Sequence, residues 1–146
     1  MEEDFKEKEM QRKYLQIQLS KEQFSNMLSE KTLIEERLTE IAGAMESLEK
    51  IKDLKQGQEI WTPIGSGSFI ESDITNVKEV AIGIGAGVIV KKKIEDASEL
   101  LKSRLDILVS INNQFSHEIN KLARQIEESE RELEGMLKEK QEGIGG

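Results

Sequence analysis

Apolar residues recur at alternating spacings of three and four along two long stretches of this chain, while a shorter middle region alternates in twos. The first period belongs to an amphipathic helix, the second to a strand with one covered face. From about Met10 to Leu54 there is no proline, and Gly43 is the one glycine. The seam there reads Met10, Tyr14, Ile17, Phe24 and Leu28, with Lys21 at one seam position, and resumes as Ile34, Leu38, Ile41, Met45 and Leu48. Leu28 to Ile34 is a step of six where seven keeps the register, a phase slip predicted to overwind a supercoil locally.

The C-terminal seam is unbroken: Leu101, Leu105, Leu108, Asn112, Phe115, Ile119, Leu122, Ile126, Ser129, Leu133 and Met136. A globular helix carries a wider apolar stripe over fewer turns, so a narrow seam sustained for about five heptads predicts a coiled coil. Asn112 reads as a polar seam residue that fixes register. Two helices of about 44 residues would each be about 65 Å long, close enough in length to pair as antiparallel arms.

Between the arms, Glu59 to Ile64 and Ser68 to Ser72 flank Gly65-Ser66-Gly67, a three-residue loop suited to a β-hairpin. The pattern repeats: Glu79 to Ile84 and Val88 to Lys91 flank Gly85-Ala86-Gly87, with the β-branched enrichment that strands prefer. Asp73, Thr75 and Asn76 punctuate the join. Along the third strand Val80, Ile82 and Ile84 face one way and Ala81, Gly83 and Gly85 the other. Four short strands with no helix free to cover them broadly would leave open edges and an uncovered apolar face, and Pro63 marks an edge or bulge. Completion by other subunits is therefore expected.

The predicted organisation is a flexible tail over 1–9, a coiled-coil helix over 10–56, paired hairpins for oligomerisation over 57–92, a second coiled-coil helix over 93–138 and a flexible tail over 139–146. The fold class is mainly α with a small β region: a long antiparallel coiled-coil hairpin joined by two β-hairpins that complete an oligomeric β-barrel. The oligomerisation residues expected are Ile60, Ile64, Phe69, Ile70, Val80, Ile82, Ile84, Val88 and Val90.

Composition narrows the chemistry. Only 4% of the 146 residues are aromatic and 34% are charged, too little bulky apolar matter for an ordinary compact core but suited to rods. A formal net charge of −8, with 21 basic residues interspersed among 29 acidic ones, argues against nucleic acid, whose phosphates need a concentrated basic surface. With no cysteine, disulfides, thiolate metal sites and cysteine nucleophiles are excluded. The N-terminus, Met1-Glu2-Glu3-Asp4-Phe5, lacks the apolar stretch of a secretory signal, and the longest apolar run, Val80 to Val90, is well short of the roughly 20 residues a membrane helix needs. A cytoplasmic location without membrane contact is the expectation.

Gly83 to Gly87 could be taken for a phosphate-cradling loop, but such a loop opens a helix, and this one runs into strand-like Val88-Ile89-Val90 without a following Lys-Ser or Lys-Thr. The single histidine, His117, stands beside Glu118 on a helix and lacks the convergent partners that catalysis or metal binding requires. The acidic run Glu127 to Glu132 reads as a solvated helix face. Neither enzyme activity nor a cofactor or metal is expected.

The stretch Thr62-Pro63-Ile64-Gly65-Ser66-Gly67-Ser68-Phe69-Ile70, followed by Val80 to Lys92 and Glu95-Asp96-Ala97, closely resembles the linker of α-type prefoldin subunits of the archaeal kind. The flanking helices extend the likeness to the whole chain, and two hairpins instead of one mark the α type. Trp61 and Thr62 depart from the pattern, which usually has aliphatic residues before that proline. The resemblance implies an assembly of two α with four β subunits through a double β-barrel from which coiled coils hang. It implies a holding chaperone that captures unfolded polypeptides at the distal coil tips and passes them to a group II chaperonin without nucleotide.

The tip residues expected to meet clients are Phe5, Met10, Tyr14, Ile17, Leu133, Met136 and Leu137, since methionine and aromatic side chains adapt to many apolar surfaces. Met10, Tyr14, Leu133 and Met136 also sit at seam spacing and could bury one another, whereas Phe5 and Leu137 lie off the seams. The alternative is a structural, filament-forming prefoldin-like subunit that polymerises through the same barrel.

Overall fold

The computed structural model describes residues 1–144. Its elements run helix α1 (Glu2–Ile51), strands β1 (Glu59–Gly65), β2 (Ser68–Asp73), β3 (Glu79–Gly85) and β4 (Val88–Lys93), then helix α2 (Ile94–Ile144). Each helix has about the 75 Å length that 50 or 51 residues give at 1.5 Å per residue. Glu2, Glu3 and Asp4 in the first turn of α1, and Glu95 and Asp96 in that of α2, place negative charge at the positive end of each helix dipole.

Residues 2–9, expected as a tail, are helical, as is 139–144. The expectation followed the loss of seam residues, but over 2–9 acidic first-turn residues and the absence of glycine or proline let α1 begin before its seam, and over 139–142 good helix formers carry α2 past its own, with Gly143 tolerated in its last turn. Gly145 and Gly146, the end of the expected C-terminal tail, lie outside the described residues.

The chain divides into two compact units. One comprises Met1–Glu36 with the chain from Ser110 onward, two helical segments packed along their seams. Their polarity is antiparallel, because Glu7, Lys13 and Lys21 on α1 pair with Lys140, Glu132 and Glu130 on α2. On α2 the positions expected from the sequence, Asn112, Phe115, Ile119, Leu122, Ile126, Ser129, Leu133 and Met136, are all half-buried or buried, and Ser116 beside them is half-buried as well. Asn112 keeps its Oδ1 buried without a hydrogen bond among the described residues.

The seam of α1 differs from the expectation. Its covered positions are Met10, Lys13, Ile17, Ser20, Phe24, Met27, Lys31, Ile34, Leu38, Ile41, Met45 and Leu48, a regular alternation of three and four. The phase slip between Leu28 and Ile34 therefore does not exist, and Tyr14, Lys21 and Leu28 lie outside the seam on exposed positions. Lysine stems are hydrocarbon, so Lys13 and Lys31 can line the seam with their methylenes while their ammonium groups reach Glu132 and Glu35.

The other unit, Arg37–Val109, holds the four strands and the helix segments beside them. β1 pairs with β2 and β3 with β4, both antiparallel, as two separate hairpins. They are copies at an offset of twenty residues: Glu59 faces Asp73 as Glu79 faces Lys93, and Pro63 faces Phe69 as Gly83 faces Ile89. Each register slips by one residue before the turn, leaving Ile64 and Ile84 as bulges. The turns match as well, with φ of 108° and 118° at Gly65 and Gly85, values that a side chain would oppose. Asn76 Oδ1 accepts from the amides of Lys78 at 2.9 Å and Glu79 at 3.0 Å, closing the turn between hairpins.

The core of this unit is Leu48, Ile94, Ala97 and Leu101, with Ile41, Met45, Ile51, Val80 and Ile82 packed against it. Ile94 is its anchor at 2% exposure, and its amide donates to the Lys78 carbonyl at 3.0 Å. This changes the reading of the third strand: Val80 and Ile82 are partly covered by the chain's own helices, so that face is not left wholly for a partner.

Candidate functional site

Two surfaces stand out, one in each unit. In the first, α1 and α2 are joined near the chain ends by the Glu7–Lys140 pair at 2.8 Å, the Lys13–Glu132 pair and the Lys21–Glu130 pair at 2.7 Å. Lys140 donates a hydrogen bond to Glu7 and holds that carboxyl below its ordinary pKa. Ile17, 3% exposed, is the buried apolar tie of this stretch.

Beside these ties lies an open groove of about 480 Å³ lined by Met10, Gln11, Tyr14, Leu15, Leu133 and Leu137, with Glu7 and Lys140 at its edge. Its floor comes from seam residues Met10 and Leu133, and its walls from Tyr14 and Leu137, one position outside the seam. A seam residue has a partner on the facing helix, whereas its off-seam neighbour widens the apolar stripe without being covered. Tyr14 is 57% exposed, Leu137 47% and Phe5 69%. Met10, Leu133 and Met136 are half-buried.

The seven tip residues expected from the sequence are thus distributed three ways. Ile17 is buried, Met10, Leu133 and Met136 are half-buried seam residues, and Phe5, Tyr14 and Leu137 are exposed. Met10, Tyr14, Leu133 and Leu137 share the groove. Leu15, which the sequence reading missed, is also part of it at an exposed position. Its signal was an apolar residue opposite the seam, where a solvated helix carries a polar one.

The second surface is the pair of hairpins. Ile64, Phe69, Ile70, Ile84 and Val88 of the expected assembly residues are exposed, and so are Trp61 and Ile89, which the sequence reading did not include. Ile60, Val80, Ile82 and Val90 are half-buried. Two-stranded sheets with this much apolar surface in water are marginal alone, and each strand has an unpaired edge. Ser72 Oγ donates to Thr62 Oγ1 at 2.9 Å across the first hairpin, so the threonine before Pro63 makes a polar cross-strand tie in the position that Ile82 fills in the second.

Gly83 to Gly87 closes a hairpin and leads into β4, not into a helix. His117 is exposed on α2. Among the described residues no group of three His, Cys, Asp or Glu could hold a metal ion, and no helix is long and apolar enough to cross a membrane.

Comparison with known proteins agrees with this architecture. The family model described as Prefoldin subunit matches residues 20–139. The prefoldin subunit alpha of Methanococcus vannielii is 27% identical over 126 residues, covering 86% of this chain and 84% of that protein. That of Methanococcus aeolicus is 26% identical over 138 residues, covering 94% of each. Among solved structures, the cryo-EM structure of filamentous PFD from Methanocaldococcus jannaschii superposes with a TM-score of 0.68 at 17% identity, covering 80% of this chain and 96% of that one. Two long helices, two small hairpins between them and this family match over most of the sequence lead to one assignment: the chain belongs to the prefoldin family of chaperone subunits, as an α-type member.

Proposed function

We propose that this chain is a subunit of an ATP-independent holdase, which binds unfolded polypeptides at the helix ends and assembles with β-type subunits through its hairpins. The observation that carries the reading is the open apolar groove of Met10, Tyr14, Leu15, Leu133 and Leu137. The two helices there are tied by Ile17 and three ion pairs, so Tyr14, Leu15 and Leu137 are not needed to hold the fold and remain available to a ligand. A flexible thioether, a flat ring and leucines accept many apolar sequences without specifying one. The acidic and basic residues around them keep the surface soluble between clients.

In this reading two α subunits join four β subunits, client is passed to a group II chaperonin, no nucleotide is consumed and the complex works in the cytoplasm. Removing about ten residues from each terminus takes away Phe5, Met10, Leu137 and the Glu7–Lys140 tie, and is expected to abolish suppression of client aggregation while the hetero-oligomer stays intact. Native mass spectrometry and light scattering of an unfolding client measure the two outcomes. A truncated chain that still protects the client, or that no longer assembles, refutes this division of labour.

The likeness to a filamentous PFD favours a second reading, a structural subunit that polymerises through the same hairpins. Light scattering of the chain alone and with a β-type subunit separates the two, a discrete complex supporting the holdase and open polymers the filament.

A further inference from the structure

The chain has five methionines, Met1, Met10, Met27, Met45 and Met136, and their surroundings differ. Met1 is fully exposed. Met27 and Met45 are half-buried seam residues farther along α1, and Met45 packs on the core around Ile94. Met10 and Met136 are half-buried as well, but they stand where the coil ends. The Glu7–Lys140 pair on one side and the Lys13–Glu132 pair on the other bracket both, which puts the two thioethers at the same level on facing helices.

This layer lies between two openings. Met10 lines the apolar groove already described and, together with Met136, a second open groove of about 400 Å³ edged by Glu3, Asp4, Glu9 and Glu139. Small solutes therefore reach the layer from either side. It is also the last apolar layer of the coil: Met10 is the first covered residue of α1, and over 137–143 no residue of α2 is covered. Beyond it the helices are tied by the exposed Glu7–Lys140 pair, and an exposed pair contributes little. Inward, the next buried tie is Ile17 at 3% exposure.

We propose that Met10 and Met136 form an oxidation site for peroxide, at which conversion to sulfoxides opens the helix ends. At each sulfur a lone pair attacks one peroxide oxygen, the O–O bond breaks, the S–O bond forms and the second oxygen leaves as water; the thioether loses two electrons and the peroxide gains them. The product is polar and no longer suits an apolar layer. With both sulfoxides in place the ends keep only their ion pairs, so the helices part as far as Ile17. Methionine sulfoxide reductases, one for each epimer, restore the thioethers and close the ends again. The effect on client capture rests on the proposed reading of the groove, whose floor Met10 supplies; the effect on the helix ends does not.

The test treats the full chain with dilute hydrogen peroxide before it is mixed with β-type subunits, so that its own methionines alone are oxidised. Peptide mass mapping should show Met1, Met10 and Met136 oxidised severalfold faster than Met27 and Met45. Amide exchange over 2–13 and 133–144 should then accelerate by on the order of tenfold while the segment around Ile94 is unchanged, and reductase treatment should restore the original rates. Met10→Leu with Met136→Leu should exchange alike before and after peroxide, which removes Met1 as the cause. A labelled unfolded polypeptide should bind the oxidised complex severalfold more weakly. Faster exchange at the ends with unchanged binding supports the switch and refutes the groove as the client site. Met27 or Met45 oxidised as fast as Met10, or ends that exchange at the parent rate with both sulfoxides in place, overturns the proposal.

Discussion

If the groove captures client as proposed, Tyr14→Ser separates that capture from helix packing, because the ring lines the groove without belonging to the seam. At 57% exposure, a tyrosine with on the order of 200 Å² of surface leaves about 110 Å² for a client to cover. At about 25 cal/mol per Å² complete coverage is worth about 3 kcal/mol, and a client covering half the ring gains about 1.4 kcal/mol, a factor of about ten in affinity. The neighbouring Ile17→Ser is the contrast. Ile17 is 3% exposed, and deleting a buried side chain of that size costs about 2–5 kcal/mol of stability. Anisotropy of a labelled unfolded polypeptide, read on complexes in which only this subunit is altered, should show about tenfold weaker binding for Tyr14→Ser with unchanged thermal melting. Ile17→Ser should lower the melting temperature. If Tyr14→Ser melts like Ile17→Ser, or binds client as tightly as the parent, the assignment of Tyr14 to an exposed groove wall is wrong.

Three further outcomes follow from the same structure. Ile82→Asp places a charge against Leu48, Ile94 and Leu101 and should destabilise the chain itself by several kcal/mol, which circular dichroism melting checks before any assembly assay; unchanged melting would remove Ile82 from the core. Lys31→Leu replaces a polar seam residue by one that suits the seam and should raise stability by about 1 kcal/mol, measurable as a shift in urea midpoint. The Glu7 carboxyl is held below its ordinary pKa by Lys140, so the tie is complete above that ordinary range and is lost as pH falls through the lowered value. Amide exchange at 2–10 and 134–144 should accelerate there, and Glu7→Gln should be faster already at neutral pH; the pair is exposed, so the effect is small and confined to the ends.

The helices and hairpins were legible for reasons that can be named. Leu101 to Met136 keeps apolar residues at nearly every seam position, so its period survives the polar exceptions Asn112 and Ser129. Gly65-Ser66-Gly67 and Gly85-Ala86-Gly87 stand between alternating strands, and only a turn uses such triplets there. The α1 seam misled because lysines and a serine occupy three of its places while Tyr14 and Leu28 sit one position away. A rule that follows hydrophobicity moved to those neighbours and met a slip that the chain does not contain. Alternation along β3 separated the half-buried Val80 and Ile82 from the exposed Ala81 and Gly83, but it misplaced Ile84, which the bulge leaves exposed, and could not say what covers the first two, since that depends on Leu48 and Ile94 in the helices. The groove was half legible: composition named its residues, whereas exposure alone separated Tyr14 and Leu137 from Ile17.

The polar places at Lys13, Ser20 and Lys31 have a consequence for how the protein ages under heat. Their layers release less free energy on closing than the all-hydrocarbon cluster around Ile94, so warming should unzip the former while the latter still stands. If the groove is the client site proposed above, a subunit built this way would grow more receptive as clients begin to melt, while its hairpin end stays folded.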